Sequence, residues 1–175
     1  MQTLNASALF YFVSRVLRGL AQVMLQNHPI TGLLFLLGIA LNAPIFAAAA
    51  LLGAAVGTLS AQLLGVQQSD LAQGLWGFNG ALCGIALLYF LQPSLLTWAC
   101  VVLAASASTV IAAALQTRLK VWQLPGLTAP FVWVSWCFFL ATARFGRLES
   151  TQLLPTAGLP QATAVEGMIS ASTVF

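Results

Sequence analysis

The sequence predicts an all-α, polytopic membrane helix bundle, with about five spanning helices plus a shorter re-entrant or tilted helix. Three observations lead there. Only 5% of the 175 residues are Asp, Glu, Lys or Arg, against roughly 25% in a typical soluble domain. Hydrophobic residues make up 60%, and the mean hydropathy is +0.95. Between Arg18 and Arg118 the only formal charge is Asp70. A charge at the centre of a membrane helix costs about 2.5–3.5 kcal/mol, so long charge-free stretches suit a chain that sits in lipid. A soluble protein of this size needs a polar shell, and the sequence has no residues to build one.

Six apolar elements follow in order: residues 8–25, 30–41, 45–64, 71–91, 95–115 and 127–143. A full crossing needs about 20 residues at a 1.5 Å rise. The third, fourth and fifth meet that length, and the first and sixth fall near it. Arg15 and Arg18 interrupt the first element, so its first half reads as interfacial. The second lies between Pro29 and Pro44 and is too short to cross alone, which makes it a re-entrant half-helix or one leg of a broken helix. Gly53 with Gly57, and Gly80 with Gly84, form two GxxxG pairs that let helix backbones pack closely. Residues 1–145 therefore read as a membrane domain. Residues 146–175, rich in Ser, Thr, Pro and Gln, read as a polar linker or disordered tail.

Composition also excludes function classes. The basic residues flank apolar runs and form no patch, so membrane-edge anchoring is expected rather than nucleic-acid binding. Cys83, Cys100 and Cys137 lie in apolar runs without CxxC or Cys/His spacing, and are expected to act as small buried hydrophobes. No cleaved signal peptide is read at the N-terminus. The apolar region holds one His, one Asp and no Glu or Lys, so no acid–base pair or metal cluster is available for catalysis. No enzyme activity and no cofactor are expected. The basic pair Arg118 and Lys120 precedes the last element and the pair Arg144 and Arg147 follows it, so the two pairs nearly cancel in setting orientation.

What remains is polar and uncharged. Gly74-Leu75-Trp76-Gly77-Phe78-Asn79-Gly80 places three glycines and an Asn within an apolar element, and Leu124-Pro125-Gly126-Leu127-Thr128-Ala129-Pro130-Phe131 sets prolines five apart around a Thr. Such residues interrupt helix hydrogen bonding and free backbone carbonyls. Inside a bilayer, freed carbonyls must face protein, water or a solute. A path of carbonyls, a hydroxyl and aromatic faces suits a small neutral polar solute; a pair of packed helix kinks is the structural alternative.

These segments resemble the urea transporter family of channels. The resemblance rests on the octapeptide 124–131, similar to the family's LPxxTxPF signature, on segment 74–80, and on Leu17-Arg18-Gly19-Leu20-Ala21-Gln22-Val23 leading into Asn27-His28-Pro29. It implies passive conduction of urea, or a similar small amide, by two homologous halves of opposite orientation assembled as a trimer. This chain resembles one half of that inverted repeat, over residues 10–145. By the same resemblance Gln22, Leu25, Phe78, Leu82 and Thr128 belong to the substrate pathway. Gly77 and Asn79 shape the bend beside Phe78, and Pro125 and Pro130 the break around Thr128. Leu25 stands where the family's slot favours an aromatic residue, so one side of the slot is aliphatic here. The expectation is facilitative transport in a bacterial-type inner membrane, by this chain as a truncated half, with a separately encoded second half, or with a second copy inserted in the opposite direction. A non-conducting scaffold and an ammonia channel are the alternatives.

Overall fold

The structure, a computed structural model, describes residues 6–151. The chain runs through α1 (Ala6–Gln22), α2 (Pro29–Asn42), α3 (Pro44–Leu63), α4 (Gln68–Ala72), α5 (Phe78–Phe90), α6 (Leu95–Leu119), a 3-10 turn (Lys120–Trp122) and α7 (Ala129–Phe145). This is the all-α bundle the composition implies, and among the described residues there is no extended sheet. Two helices, α3 and α6 continued by its 3-10 turn, are long and apolar enough to cross a membrane by length and composition. Three further apolar helices, α2, α5 and α7, are shorter.

The second element is one leg of a broken helix: α2 and α3 are separated only by Ala43, whose backbone is extended. Pro44 supplies the break, because it has no N–H to continue α2 and its fixed φ suits the first position of α3. The fourth element departs from expectation. Instead of one helix over 71–91, the five-residue α4 stops, a turn covers Gln73–Gly77, and α5 begins at Phe78. Gly74 causes the stop. It adopts φ +76°, donates to the Leu71 carbonyl, and lets Leu75 N–H reach back to the Asp70 carbonyl at 3.2 Å. That pair of bonds is a Schellman cap, which the missing Cβ of glycine makes cheap.

The bundle closes on the seam between α3 and α5. A Cβ added to Gly53 would overlap the Gly80 carbonyl, one on Gly80 would overlap the Gly53 carbonyl, and one on Gly84 would overlap the Ala49 carbonyl. The two GxxxG pairs thus face each other and bring the backbones together. Around this seam Ala49, Cys83, Leu87, Leu91, Val101 and Ala104 form a core shared by α3, α5 and α6, with Val134 of α7. Val16, Leu20, Ala50, Ala54 and Ala81 join α1 to the other side. Large apolar side chains also cover the outside: Leu41, Leu63 and Leu95 are each at least 82% exposed. Soluble monomers rarely carry so much apolar surface; hydrocarbon tolerates it. Cys83 and Cys100 are buried, but Cys137 is exposed on the outer face of α7 and does not pack inside as expected.

Residues 146–151 run back along the end of α5. Gly146 ends α7 in the left-handed region, Leu148 packs against the core, and Leu91 forms an isolated antiparallel bridge with Ser150. Thr151 N–H bonds the Phe90 carbonyl at 2.8 Å. The rest of the expected tail, 152–175, lies outside the described residues.

Candidate functional site

Three helix ends meet in one region: the C-terminus of α1 and the N-termini of α5 and α7. Two side-chain amides tie them together. Gln22, at the end of α1 and only 9% exposed, donates from Nε2 to the Gln73 carbonyl at 2.9 Å. This pins α1 to the turn that leads into Phe78. Asn79, 4% exposed, donates from Nδ2 to the Leu127 carbonyl at 3.2 Å. Its Oδ1 accepts from Phe131 N–H, also at 3.2 Å. The residues on either side of that link are Phe78 and Thr128, so the expected aromatic and the expected hydroxyl flank a single polar junction.

Close backbone approach makes the junction possible. Gly77 is buried; a Cβ there would lie 3.1 Å from Thr58 Oγ1 and 3.3 Å from Gly19 Cα. Gly77 therefore shapes the bend, and Gly19 of α1 is its counterpart, a residue within a quoted motif that had no role assigned. Pro130 is buried in the first turn of α7, whereas Pro125 is exposed. Between them Leu127 has φ +43°, so the chain turns sharply just before Thr128.

The remaining site residues lie at the edge of this junction. Phe78, the first residue of α5, and Leu82, one turn later, are half-buried and share a helix face. Leu82 lines an open cleft of about 500 Å³ together with Leu20, Val23 and Met24 from the end of α1, Leu36 and Ile39 from α2, and Phe46 from α3. The lining is almost entirely apolar, with Asn42 as its polar member. Leu25 is 77% exposed and holds φ +55°. Its N–H bonds the Gln22 carbonyl and the following Gln26 N–H bonds the Ala21 carbonyl, so Leu25 occupies the left-handed position of a Schellman cap where glycine is usual. Thr128 is exposed and is the N-cap of α7 with no side-chain capping bond. Leu25 and Thr128 are thus exposed, Phe78 and Leu82 are half-buried, and Gln22, Gly77, Asn79 and Pro130 are the buried residues beside them. The cleft-lining residues of α2 and α3 were missed, because nothing in a run of Leu and Ala marks which face lines a cavity.

Helices that break and meet through uncharged amides, in a bundle with large apolar side chains on its outside, define a multi-pass integral membrane protein with irregular backbone between its helices. The comparison with known families agrees. The chain belongs to the urea transporter family, whose model, described as "Urea transporter", matches residues 13–175. Among its relatives are urea transporter 1 of sheep (Ovis aries), 33% identical over 156 residues, and urea transporter 1 of mouse (Mus musculus), 31% identical over 156 residues. Each alignment covers 87% of this chain and 41% of the relative. The chain spans about two-fifths of the length of these relatives.

Proposed function

We propose that this chain is one half of a facilitative channel for urea or a similar small neutral amide, with the junction of α1, α5 and α7 as its half of the pathway. The proposal assigns no enzyme activity and no cofactor. One observation carries it: the Thr128 hydroxyl makes no capping bond to its own helix and stands exposed next to Leu127, whose carbonyl Asn79 holds. Family membership supports the same reading.

The chemistry follows from the solute. Urea is flat, neutral and rich in N–H donors, and removing its water is unfavourable unless each lost hydrogen bond is replaced. The Phe78 ring offers a flat apolar face, and Leu82 continues the wall along the same face. The Thr128 hydroxyl accepts an N–H, and neither Phe78, Leu82, Leu25 nor Thr128 carries a charge to trap an ion. Leu25, exposed after the end of α1, supplies an aliphatic surface. Because Leu25 and Thr128 are exposed and the cleft beside Leu82 is open, a pore with two walls requires a second half opposite them. The trimer implied by the resemblance belongs to the same proposal. The named relatives are mammalian and give no support to a bacterial inner membrane, so the proposal is confined to a lipid bilayer.

The test is stopped-flow urea uptake by vesicles carrying this polypeptide, alone and together with the C-terminal half of a mammalian urea transporter 1. Thr128→Val keeps the shape and removes one acceptor. A net hydrogen bond worth about 1 kcal/mol predicts roughly fivefold slower flux. Urea permeability no greater than that of empty vesicles in both preparations, or a Thr128→Val variant as fast as the parent, overturns the proposal.

A further inference from the structure

We infer that Asn79 is a positioning residue that caps α7 from a different helix, and that this cap is what leaves the Thr128 hydroxyl available to a solute. The inference rests on the reading of Thr128 as a pathway residue, and adds to it the device that frees the side chain.

The first four N–H groups of a helix lack intrahelical partners, and a threonine at the N-cap ordinarily turns its oxygen back onto the N–H two or three residues later. Here Ala129 N–H bonds the Gly126 carbonyl at 3.2 Å, Pro130 has no N–H, and Val132 N–H bonds the Thr128 carbonyl at 3.1 Å. Within the helix the donor left is Phe131 N–H, at the position that an N-cap threonine would normally serve. Asn79 Oδ1 takes it instead, at 3.2 Å. The other end of the same amide holds the Leu127 carbonyl, immediately before Thr128. A side chain with one donor and one acceptor at a fixed spacing fits both partners. Without it, Phe131 N–H loses its partner, and the Thr128 hydroxyl three residues earlier becomes the substitute once the Thr128 backbone swings from ψ 3° to the extended conformation of a capping residue.

The consequence is a specific coupling between residues 79 and 128 that can be read without transport. In the full chain, unfolding midpoints in detergent are measured for the parent, Asn79→Ala, Thr128→Val and the double variant. Thr128→Val is expected to leave the parent midpoint unchanged, because its hydroxyl makes no capping bond. In the Asn79→Ala background it is expected to lower the midpoint further, because there the hydroxyl has become the substitute cap. Asn79→Asp keeps an acceptor of the same size at a helix N-terminus, where negative charge is favourable, so Thr128→Val is again expected to have no effect. If Asn79→Ala does not accumulate folded, Asn79→Ser replaces it in the cycle and is judged by the same outcomes. An equal effect of Thr128→Val in both backgrounds overturns the inference.

Urea flux separates this failure from failure of the transport reading. Asn79→Ala is expected to slow flux about as much as Thr128→Val, with no further loss in the double variant. Losses that multiply in the double variant overturn the cap. A Thr128→Val flux equal to the parent's overturns the pathway reading instead, whatever the midpoints show.

Discussion

The α3–α5 seam makes the most exacting prediction, because substitution by alanine is expected to have opposite signs at two glycines. At Gly80 the added methyl would occupy the place of the Gly53 carbonyl, with the Ala105 side chain 3.2 Å away on the other side. Backbone cannot rotate aside as a side chain can, so the helices must separate until carbon and oxygen reach about 3.3 Å, a displacement of about 1 Å. Such a gap forfeits a quarter to a half of each dispersion contact, each worth about 0.1–0.2 kcal/mol. Over the roughly 20–30 atom pairs of two facing helix turns the loss is about 0.5–3 kcal/mol. Replacing an interior helical glycine returns about 1 kcal/mol. The net expectation for Gly80→Ala is a loss of up to about 2 kcal/mol.

At Gly38 a Cβ would meet nothing within 4 Å, so only the propensity term remains and Gly38→Ala is expected to gain about 0.5–1 kcal/mol. Reversible unfolding of the purified chain in mixed micelles, followed by far-UV circular dichroism against SDS fraction, measures both. A Gly80→Ala midpoint at or above that of Gly38→Ala refutes the argument that backbone contact at the seam holds the bundle together.

Leu25→Gly is expected to stabilise the chain by about 1 kcal/mol, since it removes the left-handed penalty of a branched residue and gives up a side chain that is 77% exposed; an unchanged or lower midpoint contradicts this. A small membrane-permeant maleimide in detergent is expected to label Cys137, which only detergent covers, ahead of Cys83 and Cys100, which the protein covers until it unfolds; mass spectrometry of the native adduct checks it, and modification of Cys83 ahead of Cys137 contradicts the packing.

Much of the fold was legible in the sequence because lipid imposes a strong constraint. Apolar runs with few charges and short breaks at proline predict helices, and five of the expected elements lie where helices formed. The break inside the fourth was not legible. Gly74 sits in a continuous apolar run, and glycine is common inside membrane helices; that this one takes a positive φ depends on α1 packing against it, with Arg18 and Gly19 beside it. The site divides in the same way. Gly77 and Pro130 were legible only as places where a helix begins anew, because their residue types announce a bend. The pairing of Asn79 with Leu127 and Phe131 could not, because it joins residues about 50 apart and no periodicity records it. The exposure of Cys137 likewise depends on how α7 is rotated, and its uniformly apolar sequence leaves that rotation open.

The placement of the basic residues bears on how a second half could be supplied. The sequence alone set Arg118 and Lys120 against Arg144 and Arg147, a near balance that would permit two copies of this chain to insert in opposite directions. The fold breaks that balance. Arg15 Nη2 reaches Gln68 of α4 at 3.5 Å, Arg18 donates to the Ala72 carbonyl at 3.4 Å, and Gln116, two residues before Arg118, donates to Asp70 of α4 at 3.2 Å. All four bases Arg15, Arg18, Arg118 and Lys120 therefore gather around α4. Arg144 and Arg147 lie by the other end of the 25-residue α6, about 37 Å away, where Gln92 N–H bonds the Glu149 carbonyl. Of the six Lys and Arg residues, four stand at one end and two at the other, and an excess of that kind fixes a single orientation. A pair of side-specific reporters, each fused after Phe175 and expressed separately, is expected to give activity on one side of the membrane only. Comparable activity on both sides would mean that four bases against two do not decide insertion, and would restore an oppositely inserted copy as the missing wall; activity on one side requires that wall to come from a different sequence.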